Sequence, residues 1–172
     1  DVLVRCDPSS VKQWAMVDLN RASLDRLQRN RLAASCVLDN PVAVILDVDL
    51  NGTVTVPLAE RSGTWPAAVA LSPDRRTIAT ANDANATVTI AGVSAPANAR
   101  TASVGAHPSD LLFSKDGRTL YVASRGASKI YAIDVARAKV IGEIAVGSHP
   151  SALALSADGG SLYVAESDDD GV

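Results

Sequence analysis

The chain repeats one pattern three times at a constant spacing, with copies that start at Gly63, Gly105 and Gly147. Gly63-Thr-Trp-Pro66, Gly105-Ala-His-Pro108 and Gly147-Ser-His-Pro150 open the copies, and Ser72-Pro-Asp74, Ser114-Lys-Asp116 and Ser156-Ala-Asp158 follow at fixed offsets. A fixed period of this size is the mark of a repeat architecture, in which each unit buries its apolar face against its neighbours.

Within a unit the apolar periodicity is that of strands. Ser151 to Ser156 alternates, Asp158-Gly159 supplies hairpin-turn chemistry, and Leu162-Tyr-Val-Ala165 is a short run rich in β-formers. The preceding copy places the same two strands at Asp110 to Ser114 and Leu120 to Ser124, joined through Asp116-Gly117. It continues with Lys129 to Val135, a turn over 136–139, and Val140 to Val146. Four strands and three tight connections fill one period, which predicts one four-stranded antiparallel blade of a β-propeller.

The pattern Gly-x-His-Pro-x-x-Leu-x-x-Ser-x-Asp-Gly-x-x-Leu-Tyr-Val-Ala, with a later Ile-Asp-Val, resembles the YVTN-type β-propeller repeat of bacterial and archaeal surface or periplasmic proteins. The resemblance covers residues 63–172 and implies an all-β propeller of four-stranded antiparallel blades in a periplasmic or extracellular protein. The first copy departs from it: Trp65 replaces the His, Ile78-Ala-Thr replaces Leu-Tyr-Val, and Arg75 stands where Gly would complete the turn. The expected division is a degenerate or divergent segment over 1–62, repeats over 63–104 and 105–146, and an incomplete repeat over 147–172. That amounts to about 2.5 to 4 blades, fewer than most closed propellers hold. Bare blade edges invite pairing, so further blades of a longer parent, self-association, or the N-terminal segment folding across the gap are expected to cover them.

Upstream of Gly63 the register breaks, because the interval from Pro41 to Pro66 is far shorter than that from Pro66 to Pro108. Val42 to Leu46 imitates the strand after each repeat Pro, and Asn51-Gly52 imitates the turn. Alternatively, Val42 to Asp47 and Thr53 to Leu58 are the outer pair of a blade begun further upstream, an option supported by the likeness of Gln13 to Leu19 to the strand at Ile133-Asp134. A third reading makes Arg21 to Val37 a helix, with Leu24, Leu27 and Leu32 loosely on one face and Asn20 as cap.

Composition narrows the partners. A formal charge of −3, thinly spread basic residues and six aromatics give no nucleic-acid footprint, and no apolar run of membrane-spanning length is present. Cys6 and Cys36 both lie outside the repeats, where one disulfide or two ordinary small core residues are open alternatives.

His107 and His149 share one repeat position, in the loop between the outer strand of one blade and the inner strand of the next. The equivalent loops of copper- and haem-binding reductase propellers, which these repeats distantly resemble, supply His ligands. Here Trp65 takes the third place, and two ligands are too few for a closed site. The plainer reading is a His that fixes its own loop beside Pro108 or Pro150. Asp47, Asp49 and Asn51, followed by Gly52, fit the front half of a calcium loop, but the bidentate acid due at Leu58 is missing, and Asn-Gly is also a hairpin signal. Asp168 to Asp170 reads as a solvated loop. Recurrence assigns structural roles to Gly63, Pro66, Asp74, Gly105, Pro108, Asp116, Gly117, Gly147, Pro150, Asp158 and Gly159, with the Asp carboxylates bonding backbone two residues on. Nucleophile elbows, catalytic triads and phosphate loops are absent from the sequence, and it calls for no cofactor.

The function expected from these features is a non-enzymatic binding or scaffold module of an exported bacterial protein, whose loop face meets a protein or cell-surface ligand. The alternatives are a propeller segment of a larger haem or copper oxidoreductase or phosphoesterase fusion, and a calcium-stiffened surface repeat.

Overall fold

The computed structural model describes residues 3–4, 15–16, 31–36, 42–47, 53–54 and 66–167, with side chains described from Pro66 onward apart from Pro96. All regular structure there is strand, save two single turns of 3-10 helix at Asp83–Asn85 and Arg125–Ala127.

Two four-stranded antiparallel sheets form the centre. The first runs β6 (Pro66–Leu71), β7 (Thr77–Asn82), β8 (Thr87–Gly92) and β9 (Ala95–Ser103), in that spatial order. The second repeats it with β10 (Pro108–Phe113), β11 (Thr119–Ser124), β12 (Lys129–Asp134) and β13 (Lys139–Ala145). A third sheet pairs β14 (Pro150–Leu155) with β15 (Leu162–Glu166). Upstream, β3 (Arg31–Cys36), β4 (Val42–Asp47) and β5 (Thr53–Val54) make a three-stranded sheet, and β1 (Leu3–Val4) pairs with β2 (Ala15–Met16). The strands β3, β6, β10 and β14 lie side by side, one from each of four sheets, which is the arrangement of inner strands in successive propeller blades.

The upstream segment corrects two readings of the sequence. Arg31 to Cys36 is a strand, not the end of a helix, because Val42 to Asp47 offers it a full ladder from Arg31 opposite Asp47 to Cys36 opposite Val42. Val42 to Asp47 is not an inner strand either: it pairs on both sides, with β3 and with β5, and β3 is the strand that lies next to β6. The blade therefore begins upstream, at Arg31 among the described residues. Gln13 to Leu19 contributes Ala15–Met16, which pairs with Leu3–Val4 in a separate ladder.

The core is built by facing small residues against large ones. Ala68, Ala70, Ala79 and Ala81 of the first sheet meet Leu111, Phe113, Leu120 and Val122 of the second, all at most 5% exposed. Alanine on one side lets the sheets approach while the larger side chains fill the space. Ile133 is fully buried with Leu111 and Leu120, as alternation predicts. Leu153 is only half-buried, because its two-stranded sheet lies beside β10 and β11 and its opposite face is exposed.

The hairpin turns repeat to the atom. In each copy the Ser hydroxyl donates to the Asp carboxylate two residues on, at 2.6, 2.7 and 2.5 Å for Ser72, Ser114 and Ser156. The same Ser oxygens accept the N–H of Thr77, Thr119 and Ser161 at 2.9 Å. Asp74, Asp116 and Asp158 in turn accept the N–H two residues on, from Arg76, Arg118 and Gly160, at 3.0 Å. The turn needs a left-handed residue, which Gly117 (φ 70°) and Gly159 (φ 80°) supply freely. Arg75 adopts the same conformation at φ 61°, held by its N–H bond of 2.8 Å to the Ser72 carbonyl.

Candidate functional site

The connections gather at two ends of the sheets. One end, the loop face, carries the 3-10 turns and the interblade loops; the other, the turn face, carries the Ser-Asp hairpins. His107 and His149 sit on the loop face, each immediately before the Pro that opens an inner strand, and both are left-handed, at φ 54° and 52°.

The His107 ring does not serve its own loop. Its Nδ1 lies 3.1 Å from Asp83 Oδ1, across to the 3-10 turn of the preceding sheet, with the ring 58% and the carboxylate 31% exposed. The backbone at His107 does hold the local structure, since its carbonyl accepts the Arg125 N–H at 2.9 Å, while Gly126 donates to Ala106 at 3.0 Å. Gly126 gives the ring its room: a Cβ there would stand 2.8 Å from His107 Cδ2. The His149 carbonyl likewise accepts from Ser167, through N–H at 3.1 Å and hydroxyl at 3.2 Å. His107 and His149 thus anchor two different interblade loops, and among the described residues no three His, Cys, Asp or Glu side chains gather where they could hold a metal ion.

The opening glycines are set by contact. Tyr131 and Ala127 crowd Gly105, where a Cβ would fall 2.4 Å from Ala127 Cβ and 2.8 Å from the Tyr131 hydroxyl. Ser124 donates to the Gly105 carbonyl at 3.3 Å. One period on, Glu166 replaces Ser124 and accepts the Gly147 N–H at 2.7 Å. Inner strands β10 and β14 are joined through side chains: Ser109 donates to the Pro150 carbonyl at 2.7 Å, and Asp110 accepts the Leu153 N–H at the same distance. Pro66, Pro108 and Pro150 are buried at the starts of β6, β10 and β14.

On the turn face the carboxyls of Asp74, Asp116 and Asp158 are all held below the ordinary carboxylate range, chiefly by the Ser hydroxyl and next by the backbone N–H each accepts. Asp134 is lowered too, through the backbone N–H and guanidinium of Arg137. Of the calcium candidates, Asp47 ends β4 and Leu46 pairs with Thr53 in β5, so the chain reverses between them; Asp49 and Asn51 lie outside the described residues, as do Gly63, Cys6 and Asp168 to Asp170. The sequence reading missed Asp83, Asp110 and Glu166. The available signal was the break in the repeat, since Asp110 replaces Ala68 and Ala152, and Glu166 replaces Asn82 and Ser124.

The sequence model of a family described as lactonase, 7-bladed beta-propeller, matches residues 93–172. Solved structures extend the likeness upstream. Hydrazine synthase of Kuenenia stuttgartiensis is 23% identical at a TM-score of 0.69, over 83% of this chain and 40% of that one. A functionally unknown protein from Desulfotomaculum acetoxidans DSM 771 follows at 17% and 0.64, over 80% and 45%. A chain of the nidogen/laminin complex gives 15% and 0.56, over 78% and 46%. No curated protein matches the chain. The fold is a β-propeller, and this chain spans less than half the length of each of these three structures. No helix among the described residues is long and apolar enough to cross a membrane.

Proposed function

We propose that this chain is part of a non-enzymatic propeller module, exported from a bacterial cell, that binds a protein or cell-surface glycan through its loop face. The observation that carries this reading is the state of the loop-face polar groups. His107 is exposed and bonded to the half-buried Asp83, and Glu166 is exposed and bonded to the Gly147 N–H, so they join neighbouring loops into one firm polar surface. Chemistry at a reacting centre is favoured by preorganised groups in a water-excluded cleft; recognition needs only a rigid surface that loses little entropy on binding. The likeness to a chain of the nidogen/laminin complex favours the protein-binding reading. Export rests on the resemblance of the repeats to the YVTN type.

The test is an array of bacterial wall fragments, surface glycans and peptides probed with the purified chain. Binding that is lost in Arg125→Glu on the loop face, and kept in Lys115→Glu on the turn face, supports the reading; the reverse pattern sinks it. The lactonase match over 93–172 favours a second reading, an enzyme segment. A lactone panel separates the two: hydrolysis above background that falls in His107→Asn would establish the enzyme.

A further inference from the structure

The turn face holds a groove of about 500 Å³ between the outer parts of the two four-stranded sheets. Asn98 and Arg100 of β9 line one wall; Arg118, Asp134, Val135 and Arg137 of the second sheet line the other. Three arginines and one carboxylate line it, and the Asp116 carboxylate lies beside Arg118, which leaves one positive charge in excess in a chain whose formal charge is −3. That local inversion is a focused positive potential at a concave surface.

Two of the three cations are already placed. Arg100 reaches across the groove and donates to the Ala136 carbonyl. Arg137 is gripped by Asp134, whose carboxylate accepts the Arg137 N–H at 2.8 Å and its guanidinium at 2.7 Å. Arg118 is exposed and makes no side-chain hydrogen bond among the described residues. A guanidinium carries five N–H donors in a fork that matches carboxylate or phosphate. One donor each from Arg100 and Arg137 is in use in the contacts above, so most of the set faces the groove or solvent.

The repeat sharpens the point. Asp116 recurs in all three hairpins and Gly117 in two, because the turn uses them, but Arg100, Asp134 and Arg137 stand where the neighbouring copy has Gly142, Gly92 and Ala95. The neighbouring blade is built without those charges, and although Asp134 also holds its own turn through the Arg137 N–H, the Ser-Asp hairpins use none of the three. Both walls belong to four-stranded sheets.

We infer that this groove binds a small organic oxyanion, a carboxylate or phosphate carried on a body of about sugar size, with Arg118 closing on it and Arg100 and Arg137 as fixed donors. The site lies at the end of the sheets opposite the loop face, so its occupancy does not depend on the binding proposed there.

Isothermal titration of the chain with citrate, inorganic phosphate, glucuronate and neutral glucose, at ionic strength held constant with sodium chloride, tests it. Saturable one-site binding of the anions, and none of glucose, is expected; preference between glucuronate and phosphate tells which anion class fits. Arg118→Gln, whose melting transition should match the parent's because the side chain makes no hydrogen bond, should weaken binding about tenfold, the worth of one charge-assisted hydrogen bond. Lys115→Gln, a cation outside the groove, should change nothing. Absence of saturable anion binding, equal binding of glucose, or affinity unchanged in both Arg118→Gln and Arg137→Gln overturns the inference.

Discussion

Val122, Ser124 and Tyr131 of the second sheet stand one repeat period after Thr80, Asn82 and Thr89 of the first, on equivalent strands and the equivalent face. In the second sheet that face is apolar but for Ser124: Val122 and Tyr131 pack over the alanines of β6 and β7. In the first it carries a buried polar cluster. Thr80 donates to Asn82 Oδ1 at 3.2 Å, and the Asn82 amide donates to Thr87 and Thr89 at 3.1 and 2.9 Å. Thr80, Asn82 and Thr89 are at most 1% exposed, so the cluster stands in place of dispersion contacts with bonds that must all be made. One backbone template therefore tolerates two kinds of interior, provided each polar atom finds a partner. The apolar version resists loss of volume, while the polar version is sensitive to loss of a single donor or acceptor.

The largest effect should come from the residues the two interfaces share. Leu120 and its counterpart Ile78 are both fully buried, and replacing either by Ala should cost about 2–5 kcal/mol in urea unfolding. Similar costs sustain the equivalence of the interfaces; a cost under about 0.5 kcal/mol at Ile78 alone would show the first interface to be loosely packed. Gly105→Ala comes next, at about 1–3 kcal/mol, because the new methyl meets Ala127 and the Tyr131 ring hydroxyl. Gly147→Ala should cost less, since what it meets is the far end of the flexible, exposed Glu166 side chain, which can shift at the expense of its bond to the Gly147 N–H.

The polar cluster gives the sharpest contrast. Asn82→Ala removes the buried amide's three side-chain bonds, to Thr80, Thr87 and Thr89, and should cost about 1–3 kcal/mol, whereas Ser124→Ala, which gives up one long bond to Gly105, should cost less than about 1 kcal/mol. Equal losses in chemical denaturation would break the distinction between the two interiors. At the hairpins, Arg75→Gly should raise stability by about 0.5–1 kcal/mol, because glycine relieves a left-handed backbone that Gly117 and Gly159 occupy without strain, less what glycine adds to unfolded-chain entropy. A thermal melt checks the sign, and Gly117→Ala should move the other way.

The smallest effect concerns acid. Asp74, Asp116 and Asp158 have folded-state values depressed below the ordinary 3.8, so they favour the folded chain fully above that value and lose the contribution as pH falls through their folded values. Stability should therefore decline below about pH 4, and Asp116→Asn should make that decline shallower while leaving the slope near neutrality alone. These carboxylates are exposed, so the change is modest; an unchanged acid limb would mean that the Ser-Asp hairpins bind no fewer protons folded than unfolded.

Much of the architecture was legible from the chain itself. The constant repeat spacing, the period-two alternation and the Asp-Gly turns determined the strands from Pro66 onward, because hairpin chemistry and burial of one face are local demands that each copy states again. Residues 1–62 echo the repeat only out of register, and a leucine spacing that suits a helix was overruled at Arg31 to Cys36 by a partner strand that only the folded chain brings alongside. The site followed the same division. Sequence alone placed His107 and His149 in equivalent loops, but which groups they meet was decided by the stagger of one sheet against the next, which set Asp83 beside His107, Asp110 beside Leu153 and three arginines around one groove. Contacts between sheets join residues 24 to 43 positions apart and depend on distances that no local pattern encodes, so tertiary packing alone could fix them.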